Sequence, residues 1–180
     1  MPRSLRTLFE NAWYHVMNRG INHQPIFLSN HHKEIFISLL EKIIQKYNVK
    51  IHAFCLMNNH YHLLVHTPFG NLNEAMRYLG GIYTQKFNHC EKKDGALFRG
   101  RYKAILIEND SQLLQVSKYI HLNPVEAKLC HQPEDYLWSS YSAYIGGFNK
   151  FKDWLCIDTL LKYYGESGQN SKYDNFVKGV

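Results

Sequence analysis

Residues 50–66 read KIHAFCLMNNHYHLLVH, which is two largely apolar runs separated by a pair of asparagines. Short apolar runs bounded by turn residues are typical of strands, and asparagine tolerates the positive φ of a tight two-residue turn. We therefore predict a hairpin in which strands over Lys50–Met57 and His60–His66 are joined by Asn58 and Asn59.

The segments on either side of this hairpin predict the rest of one small domain. Patterning indicates a strand over 13–18, a helix that begins at Ser29 or Asn30 and runs to about Tyr47, a second helix over 71–88, and a strand over 102–108. This order of strands and helices is the split-βαβ pattern of ferredoxin-like folds. We expect an α+β domain with a four-stranded antiparallel sheet and two helices on one face.

A third helix is expected after these elements. Asp110 or Ser111 can cap its first turn, and Pro124 disfavours helical geometry at the residue before it, so this helix is expected to end near Asn123. One apolar stripe can pack on the sheet, and it is formed by Leu113, Ser117 and Ile120. The neighbouring stripe is polar and consists of Gln112, Gln115, Tyr119 and Asn123.

The positive charge of the chain is concentrated in its first 130 residues. The net charge is +6, with sixteen Lys or Arg against nine Asp or Glu up to Cys130, and five against six after it. The stretch 86–103 alone holds six basic and two acidic residues. Such a patch suits a polyanion, whose binding releases counterions, although a solvated basic loop would have the same composition.

The cysteine spacing and the lengths of the apolar runs indicate the cellular compartment in which the protein is expected. Four widely spaced cysteines without a CxxC pair predict reduced thiols. No apolar run approaches the roughly eighteen residues needed to cross a bilayer, and residues 1–10 lack the apolar stretch of a secretory signal. We expect a cytoplasmic protein that does not enter the membrane.

His60 and His62 lie two residues apart in the second strand of the predicted hairpin. Because side chains alternate along a strand, both imidazoles face the same side, about 7 Å apart along the strand, and Tyr61 faces the other side. His66 shares their face but lies about 20 Å from His60. By itself, this pair fits two surface histidines as well as two ligands of one metal ion.

The polar stripe of the third helix favours the interpretation of His60 and His62 as metal ligands. Two neutral imidazoles and one amide oxygen suit Mg²⁺ or Mn²⁺, which would polarise a scissile phosphodiester as a Lewis acid. Tyr119 would then attack phosphorus and form a covalent phosphotyrosine, which conserves the bond energy for rejoining. The same stripe also fits an ordinary amphipathic helix with Tyr119 as a half-buried anchor.

Five segments resemble the single-tyrosine HUH transposases, most closely the REP-associated tyrosine transposases. In chain order they are HVMNRG (15–20), MNNHYHLL (57–64), LFRGRYK (97–103), YIHLNPV (119–125) and WSSY (138–141). They cover roughly residues 10–145 in the order found in the family. The chain departs from the family at Asn58, where proline is usual, and at Tyr61, where an aliphatic residue is usual.

The resemblance implies an activity and a set of site residues. It implies His60, His62 and Asn123 as metal ligands and Tyr119 as the nucleophile in the cleavage and rejoining of single-stranded DNA. The expected substrate is hairpin DNA, such as REP-like palindromes, and the expected products are a 5′-phosphotyrosine and a free 3′-hydroxyl. Phosphate contacts are expected from Arg99, Arg101 and Lys103, and from Lys92 and Lys93 of the basic stretch. Arg19, beside Gly20, fits either a DNA contact or the closing of a turn.

The resemblance also has implications for the domain organisation and the oligomeric state. A catalytic domain over residues 1–130 is expected to carry a C-terminal extension over residues 131–180 packed on it, with the tyrosine-bearing helix near the active site. Relatives act either as dimers that exchange this helix or as monomers, so both a monomer and a homodimer fit.

Two other functions fit parts of the pattern. A non-catalytic nucleic-acid-binding module would use the basic and aromatic residues, but it would not need Tyr119 and two histidines to converge. A metal-dependent hydrolase of small phosphoesters would use water as the nucleophile and would leave no protein–DNA adduct. Metal-dependent covalent attachment to DNA therefore distinguishes the three functions.

Overall fold

Four strands and three long helices form the framework of the protein. The computed structural model describes residues 8–147, 150–151 and 153–180, and the strands are β1 (Ala12–Arg19), β2 (Lys50–Leu56), β3 (His60–Thr67) and β4 (Lys103–Ile107). The long helices are α1 (Asn30–Tyr47), α2 (Leu72–Glu91) and α3 (Asp110–Glu126), and the shorter ones are α4 (Tyr141–Tyr144), α5 (Asp158–Leu161) and α6 (Gln169–Lys178). Residues 1–7, which belong to the segment tested above for a secretory signal, lie outside the described residues.

The strands form one antiparallel sheet in the order β2-β3-β1-β4. The two hairpin strands are neighbours, and β1 lies between β3 and β4, which is the order of a ferredoxin-like fold. The predicted α+β class and the four-stranded antiparallel sheet are therefore confirmed. In the described part of the chain, no helix is both long and apolar enough to cross a membrane.

Helices α1 and α2 cover one face of the sheet. Alternate residues of the strands, such as Val16 and Leu63, are fully buried there against Phe36 of α1 and Leu79 of α2. Tyr61 faces this side, as predicted, and its ring centroid lies 4.8 Å from that of Phe36. Burying a large apolar side chain contributes about 1.5–3 kcal/mol, so this layer fixes which residues of β3 face the opposite side.

Helix α3 and the C-terminal segments cover much of the second face. Leu64 of β3 and Ile120 of α3 belong to a buried cluster that also contains Tyr173 of α6. The burial of Leu113, Ser117 and Ile120 confirms the stripe predicted to pack on the sheet. Strand β2 is an edge strand, and part of its edge is covered because the amide of Leu56 donates to the carbonyl of Trp138 at 2.9 Å.

The prediction that α3 ends near Asn123 is wrong, since the helix continues to Glu126. Pro124 removes one amide donor, but it is buried close to the end of the helix, and the amide of Ala127 still donates to the carbonyl of Asn123 at 3.0 Å. The predicted cap is also displaced by one residue. Asn109 caps the helix, with its side chain accepting from the amide of Gln112. Asn123 therefore lies inside a helical turn.

The hairpin turn forms where it was predicted, but with a different backbone. The amide of Met57 donates to the carbonyl of His60 at 2.9 Å, and neither Asn58 nor Asn59 has a positive φ. Tertiary hydrogen bonds hold the turn instead. The carbonyl of Asn58 accepts from the amide of Phe27 at 3.0 Å, and the carbonyl of Asn59 accepts from the amide of Gly20 at 2.9 Å. The start of β3 is thereby fixed to the segment after β1.

Candidate active site

Strand β3 places His60 and His62 on the face covered by α3. Their ring centroids lie 5.0 Å apart, with the ring planes nearly perpendicular. His60 is partly exposed and His62 is 4% exposed, so the pair lies at the border between the packed sheet face and an open cavity. The predicted common face of the two histidines is confirmed.

A hydrogen bond determines which ring nitrogen of His60 carries the proton. Nδ1 of His60 lies 2.7 Å from Oδ1 of Asn59, and Nδ2 of Asn59 donates to the carbonyl of His23 at 3.2 Å. Because Oδ1 can only accept, Nδ1 of His60 is the donor and Nε2 keeps its lone pair. Burial lowers the pKa of His60, and this also favours the neutral ring.

The lone pair of His60 faces the side chain of Asn123. Oδ1 of Asn123 lies 3.4 Å from Nε2 of His60, so two hydrogen-bond acceptors face each other when Nδ1 is protonated. A cation bound by both atoms would remove their repulsion. The 3.4 Å between the two atoms is short enough for both to bind one ion. The donor set fits a divalent cation.

His62 is held by a second histidine. Nδ1 of His62 lies 2.9 Å from Nε2 of His15 on β1, and both side chains are buried. Burial, followed by the neighbouring His15 and His60, lowers the pKa of His62 to about 3. Burial and then Lys103 lower the pKa of His15 to about 4. Both rings are therefore neutral at pH 7, as a metal ligand must be.

The two histidines and Asn123 make a small ligand set. Among the described residues, no group of three or more His, Cys, Asp or Glu is placed to hold a metal ion. The candidate set consists of two imidazole nitrogens and one amide oxygen, which leaves further coordination positions for solvent or a phosphate oxygen. Such mixed nitrogen and oxygen ligands suit Mn²⁺ and are compatible with Mg²⁺.

Tyr119 projects from α3 over the two buried histidines. Its ring centroid lies 5.4 Å from that of His62 and 5.7 Å from that of His15, both in edge-on contacts. Tyr119 is 43% exposed, so a large substrate can reach its side chain. Gln112 belongs to the same predicted stripe, but its side chain accepts a hydrogen bond from the amide of Glu108, just before the first turn of α3.

A cavity of about 860 Å³ connects His60, His62 and Tyr119, whereas Asn123 is buried beside His60 and is not among the residues that line it. It is lined by Met17, Asn18, Arg19, His23, Asn59, His60, His62, Arg99, Gly100, Arg101, Lys103 and Tyr119. Four of these described lining residues are basic and none is acidic, so the potential is positive where a phosphodiester would approach Tyr119. The structure thus places Tyr119 and these four predicted basic residues around the same cavity.

The segment 97–101 brings its arginines to the cavity through backbone contacts with β1. The amide of Arg99 donates to the carbonyl of Arg19 at 3.0 Å, and Nδ2 of Asn18 donates to the carbonyl of Gly100 at 3.2 Å. Gly20 is required at this crossing, because a Cβ there would lie 2.1 Å from the carbonyl oxygen of Gln24. Arg19 lines the cavity, and Gly20 permits the close backbone crossing directly after it.

Lys92 and Lys93 are not brought to this cavity. They follow the last residue of α2, where Lys92 adopts a left-handed conformation and the amine of Lys93 lies 5.7 Å from the ring of Phe87. A role in phosphate binding stays a prediction for these two lysines. Several residues that were not predicted as site residues contact the site, among them His15, His23 and Asn59.

Two further histidines, His52 and His121, are buried and neutral. Nδ1 of His52 donates to the carbonyl of Cys156 at 2.8 Å, and His121 lies 2.7 Å from the hydroxyl of Tyr173 and 2.8 Å from that of Ser140. Burial lowers the pKa of His52 to about 3, and it lowers the pKa of His121 to about 3 as well. Both side chains stabilise the neutral-pH fold rather than the site.

These neutral histidines predict acid lability. The unfolded chain takes up protons below about pH 6.5, while the folded chain resists until about pH 3, so stability should decline as pH falls through this window. Each such histidine adds about 1.4 kcal/mol per pH unit to the slope. Urea unfolding at pH 7, 6 and 5 measures it. His52→Gln should reduce the slope of unfolding free energy against pH by the contribution of one histidine. An unchanged slope would contradict a neutral His52.

A ferredoxin-like sheet with a tyrosine-bearing helix over a pair of strand histidines is the arrangement expected of a single-tyrosine HUH enzyme. The sequence profile described as "Transposase IS200 like" matches residues 8–123. The chain belongs to the IS200-like transposase family. The family resemblance inferred from the five sequence segments is thereby confirmed.

Individual relatives are also similar to this chain. A protein of Haemophilus influenzae, provisionally named a REP-associated tyrosine transposase, is 26% identical in an alignment 117 positions long that covers 59% of this chain and 66% of that protein. The match thus spans just under two thirds of that relative. A solved structure described as a REP-associated tyrosine transposase bound to a REP hairpin has a TM-score of 0.69 at 17% identity, over 81% of this chain and 86% of that one. At this identity the second likeness supports the fold alone.

Proposed function

We propose that this protein cleaves and rejoins single-stranded hairpin DNA through a 5′-phosphotyrosine at Tyr119. The observation that carries the proposal is the convergence of Tyr119, His60 and His62 at one cavity whose charged lining is entirely basic among the described residues. Membership of the IS200-like transposase family supports a DNA strand-transfer reaction. The solved relative with the same fold is described as bound to a REP hairpin, and we propose hairpin DNA as the substrate class for this chain too.

His60, His62 and Asn123 are the proposed ligands of a divalent metal ion, Mg²⁺ or Mn²⁺. When bound, this ion would supply Lewis-acid stabilisation of the phosphate charge. Asn59 holds Nδ1 of His60 protonated, so that Nε2 is available as a ligand atom. Pro124 and the last turn of α3 keep Asn123 buried beside His60.

Tyr119 is the proposed nucleophile. Its phenolic oxygen loses its proton to solvent and forms a bond to phosphorus, while the bond from phosphorus to the 3′-oxygen breaks and that oxygen takes up a proton. The phosphodiester energy is retained in the phosphotyrosine, so a 3′-hydroxyl can reverse the step and rejoin the strand without ATP. Arg19, Arg99, Arg101 and Lys103 neutralise phosphates on either side of the cleaved bond.

The C-terminal extension is proposed to position α3 within one chain. Residues 1–130 would form the catalytic domain, and residues 131–180 would hold its tyrosine helix. Nζ of Lys118 donates to the carbonyl of Phe176 at 2.7 Å, and His121 lies 2.7 Å from the hydroxyl of Tyr173. These bonds favour a monomer that uses its own tyrosine, and a homodimer would need α3 to leave them.

DNA as the substrate makes the cytoplasm the proposed place of action.

A labelled-hairpin assay tests the proposed function. Hairpin oligonucleotides with single-stranded flanks are labelled at the 5′ or the 3′ end, incubated with the protein and Mn²⁺, and run on a denaturing gel. The 3′-labelled fragment should migrate as a protein adduct, and the 5′-labelled fragment should end in a free 3′-hydroxyl. Two free fragments would instead indicate a hydrolase, and uncleaved but retarded DNA would indicate a binding module.

The basic lining of the cavity predicts strongly salt-dependent DNA binding. Each phosphate neutralised on a single strand contributes roughly 0.7 to the slope of log affinity against log salt. Replacing both Arg99 and Arg101 by alanine should therefore flatten this slope by roughly 1.4 units. Fluorescence anisotropy of labelled hairpin DNA between about 50 and 300 mM salt measures the slope.

Lys92→Ala combined with Lys93→Ala is the matched control, because it also removes two charges but lies outside the cavity. A smaller change of slope is expected for this control. If the lysine variant flattens the slope and the arginine variant does not, the DNA contacts lie near the end of α2 rather than at the cavity.

A further inference from the structure

We propose that His15 is a positioning residue that holds His62 in the one tautomer able to bind metal. The inference rests on the proposed function, because it concerns a ligand of the proposed metal site. It is carried by the contact of 2.9 Å between Nε2 of His15 and Nδ1 of His62. Asn59 makes the corresponding contact with Nδ1 of His60 at 2.7 Å.

The contact between the two histidines is a buried hydrogen bond. His15 is 6% exposed and His62 is 4% exposed, so solvent cannot easily replace either partner. Their ring centroids lie 5.1 Å apart with the planes tilted by 31°. His15 reaches this position from β1, which pairs with β3 so that Met17 lies opposite His62 and His15 lies diagonally beside it. The sheet register therefore fixes the distance.

The chemistry of imidazole makes the direction of this bond decisive. A neutral imidazole has one donor and one acceptor nitrogen, and only the acceptor can bind metal. Since His62 lines the cavity and its Nδ1 faces His15, Nε2 is the nitrogen left for a ligand. His62 must then donate from Nδ1, and His15 must accept at Nε2. The opposite direction would protonate Nε2 of His62 and block the proposed site.

His15 also supports the nucleophile. Its ring meets that of Tyr119 edge-on at 5.7 Å, and Tyr119 in turn lies 5.4 Å from His62. One side chain of β1 thus contacts both a proposed ligand and the proposed nucleophile. A residue at this place orients reacting groups without being bonded to metal or substrate itself.

Two variants of His15 separate its hydrogen bond from its bulk. His15→Phe keeps a ring for Tyr119 to contact but removes the acceptor, whereas His15→Gln places an amide oxygen near the position of Nε2. Mn²⁺ affinity, measured by electron paramagnetic resonance, should fall about 10- to 100-fold in His15→Phe, and His15→Gln should restore most of it. His66→Phe, on the same sheet face but outside the cavity, should bind Mn²⁺ like the unmodified protein.

Nitrogen-15 spectra of the histidine rings give a readout that needs no metal. In the unmodified protein His62 should show a protonated Nδ1 and an unprotonated Nε2, and His15→Phe should mix or invert these signals. A protonated Nε2 of His62 in the unmodified protein, or unchanged Mn²⁺ affinity in His15→Phe, would overturn the proposal. Failure of the unmodified protein to bind Mn²⁺ would instead refute the proposed metal site, and the nitrogen signals would still decide the tautomer.

Discussion

Tyr119→Phe is expected to bind hairpin DNA normally while losing both strand cleavage and the covalent adduct. The substitution removes one oxygen from a side chain that is 43% exposed, and the ring contacts with His15 and His62 can remain. Removing a covalent nucleophile costs about 10⁴-fold or more in rate, so no product should be detectable on a denaturing gel. Anisotropy with the same hairpin measures binding separately.

Tyr163→Phe is a matched control, because Tyr163 is exposed to a similar degree, at 45%, and is not among the residues that line the cavity. It should cleave like the unmodified protein. Mass spectrometry of the unmodified protein's adduct should place the DNA 5′-phosphate on the peptide that contains Tyr119. An adduct on Tyr83 or Tyr102, or one that persists in Tyr119→Phe, would disprove the mechanism.

The order of elements was predictable because each pattern is local. Alternation in β3 and helical spacing in α1 depend only on which side chains must be buried, and both elements begin close to where the sequence predicts them. The end of α3 was not predictable in this way. The rule that Pro124 ends a helix considers only the restriction that proline places on the residue before it. The burial of Ile120, Asn123 and Pro124 depends instead on segments distant in the chain.

The candidate site was predictable in part for the same reason. The common face of His60 and His62 follows from the period of a strand. The approach of Tyr119 to His62 needs the packing of α3 on the sheet, and the family resemblance, rather than spacing, indicated it. His15 and Asn59 were missed because their roles depend on sheet register and on a turn held by tertiary bonds. Charge alone could not separate Arg99, which lines the cavity, from Lys93, which does not.

Replacing either proposed histidine ligand should abolish cleavage, but the two variants should differ in stability. Loss of Lewis-acid stabilisation worth several kcal/mol corresponds to about 10³-fold in rate. His60 is partly exposed, so His60→Ala should fold with nearly unchanged stability. His62 is buried and bonded to His15, so His62→Ala should also lose roughly 1–3 kcal/mol of unfolding free energy by leaving that partner unsatisfied.

His60→Ala is therefore the sharper test of the metal site, since a loss of cleavage in this variant cannot be attributed to unfolding. Its Mn²⁺ affinity and its cleavage rate should fall together, and raising the Mn²⁺ concentration should recover part of the rate if Asn123 and His62 still hold the ion. His66→Ala, on the same strand and face but outside the cavity, provides the comparison. If His60→Ala cleaved DNA at the rate of the unmodified protein at matched Mn²⁺, His60 would not be a metal ligand. The proposal that one ion is bound by both His60 and Asn123 would then be wrong.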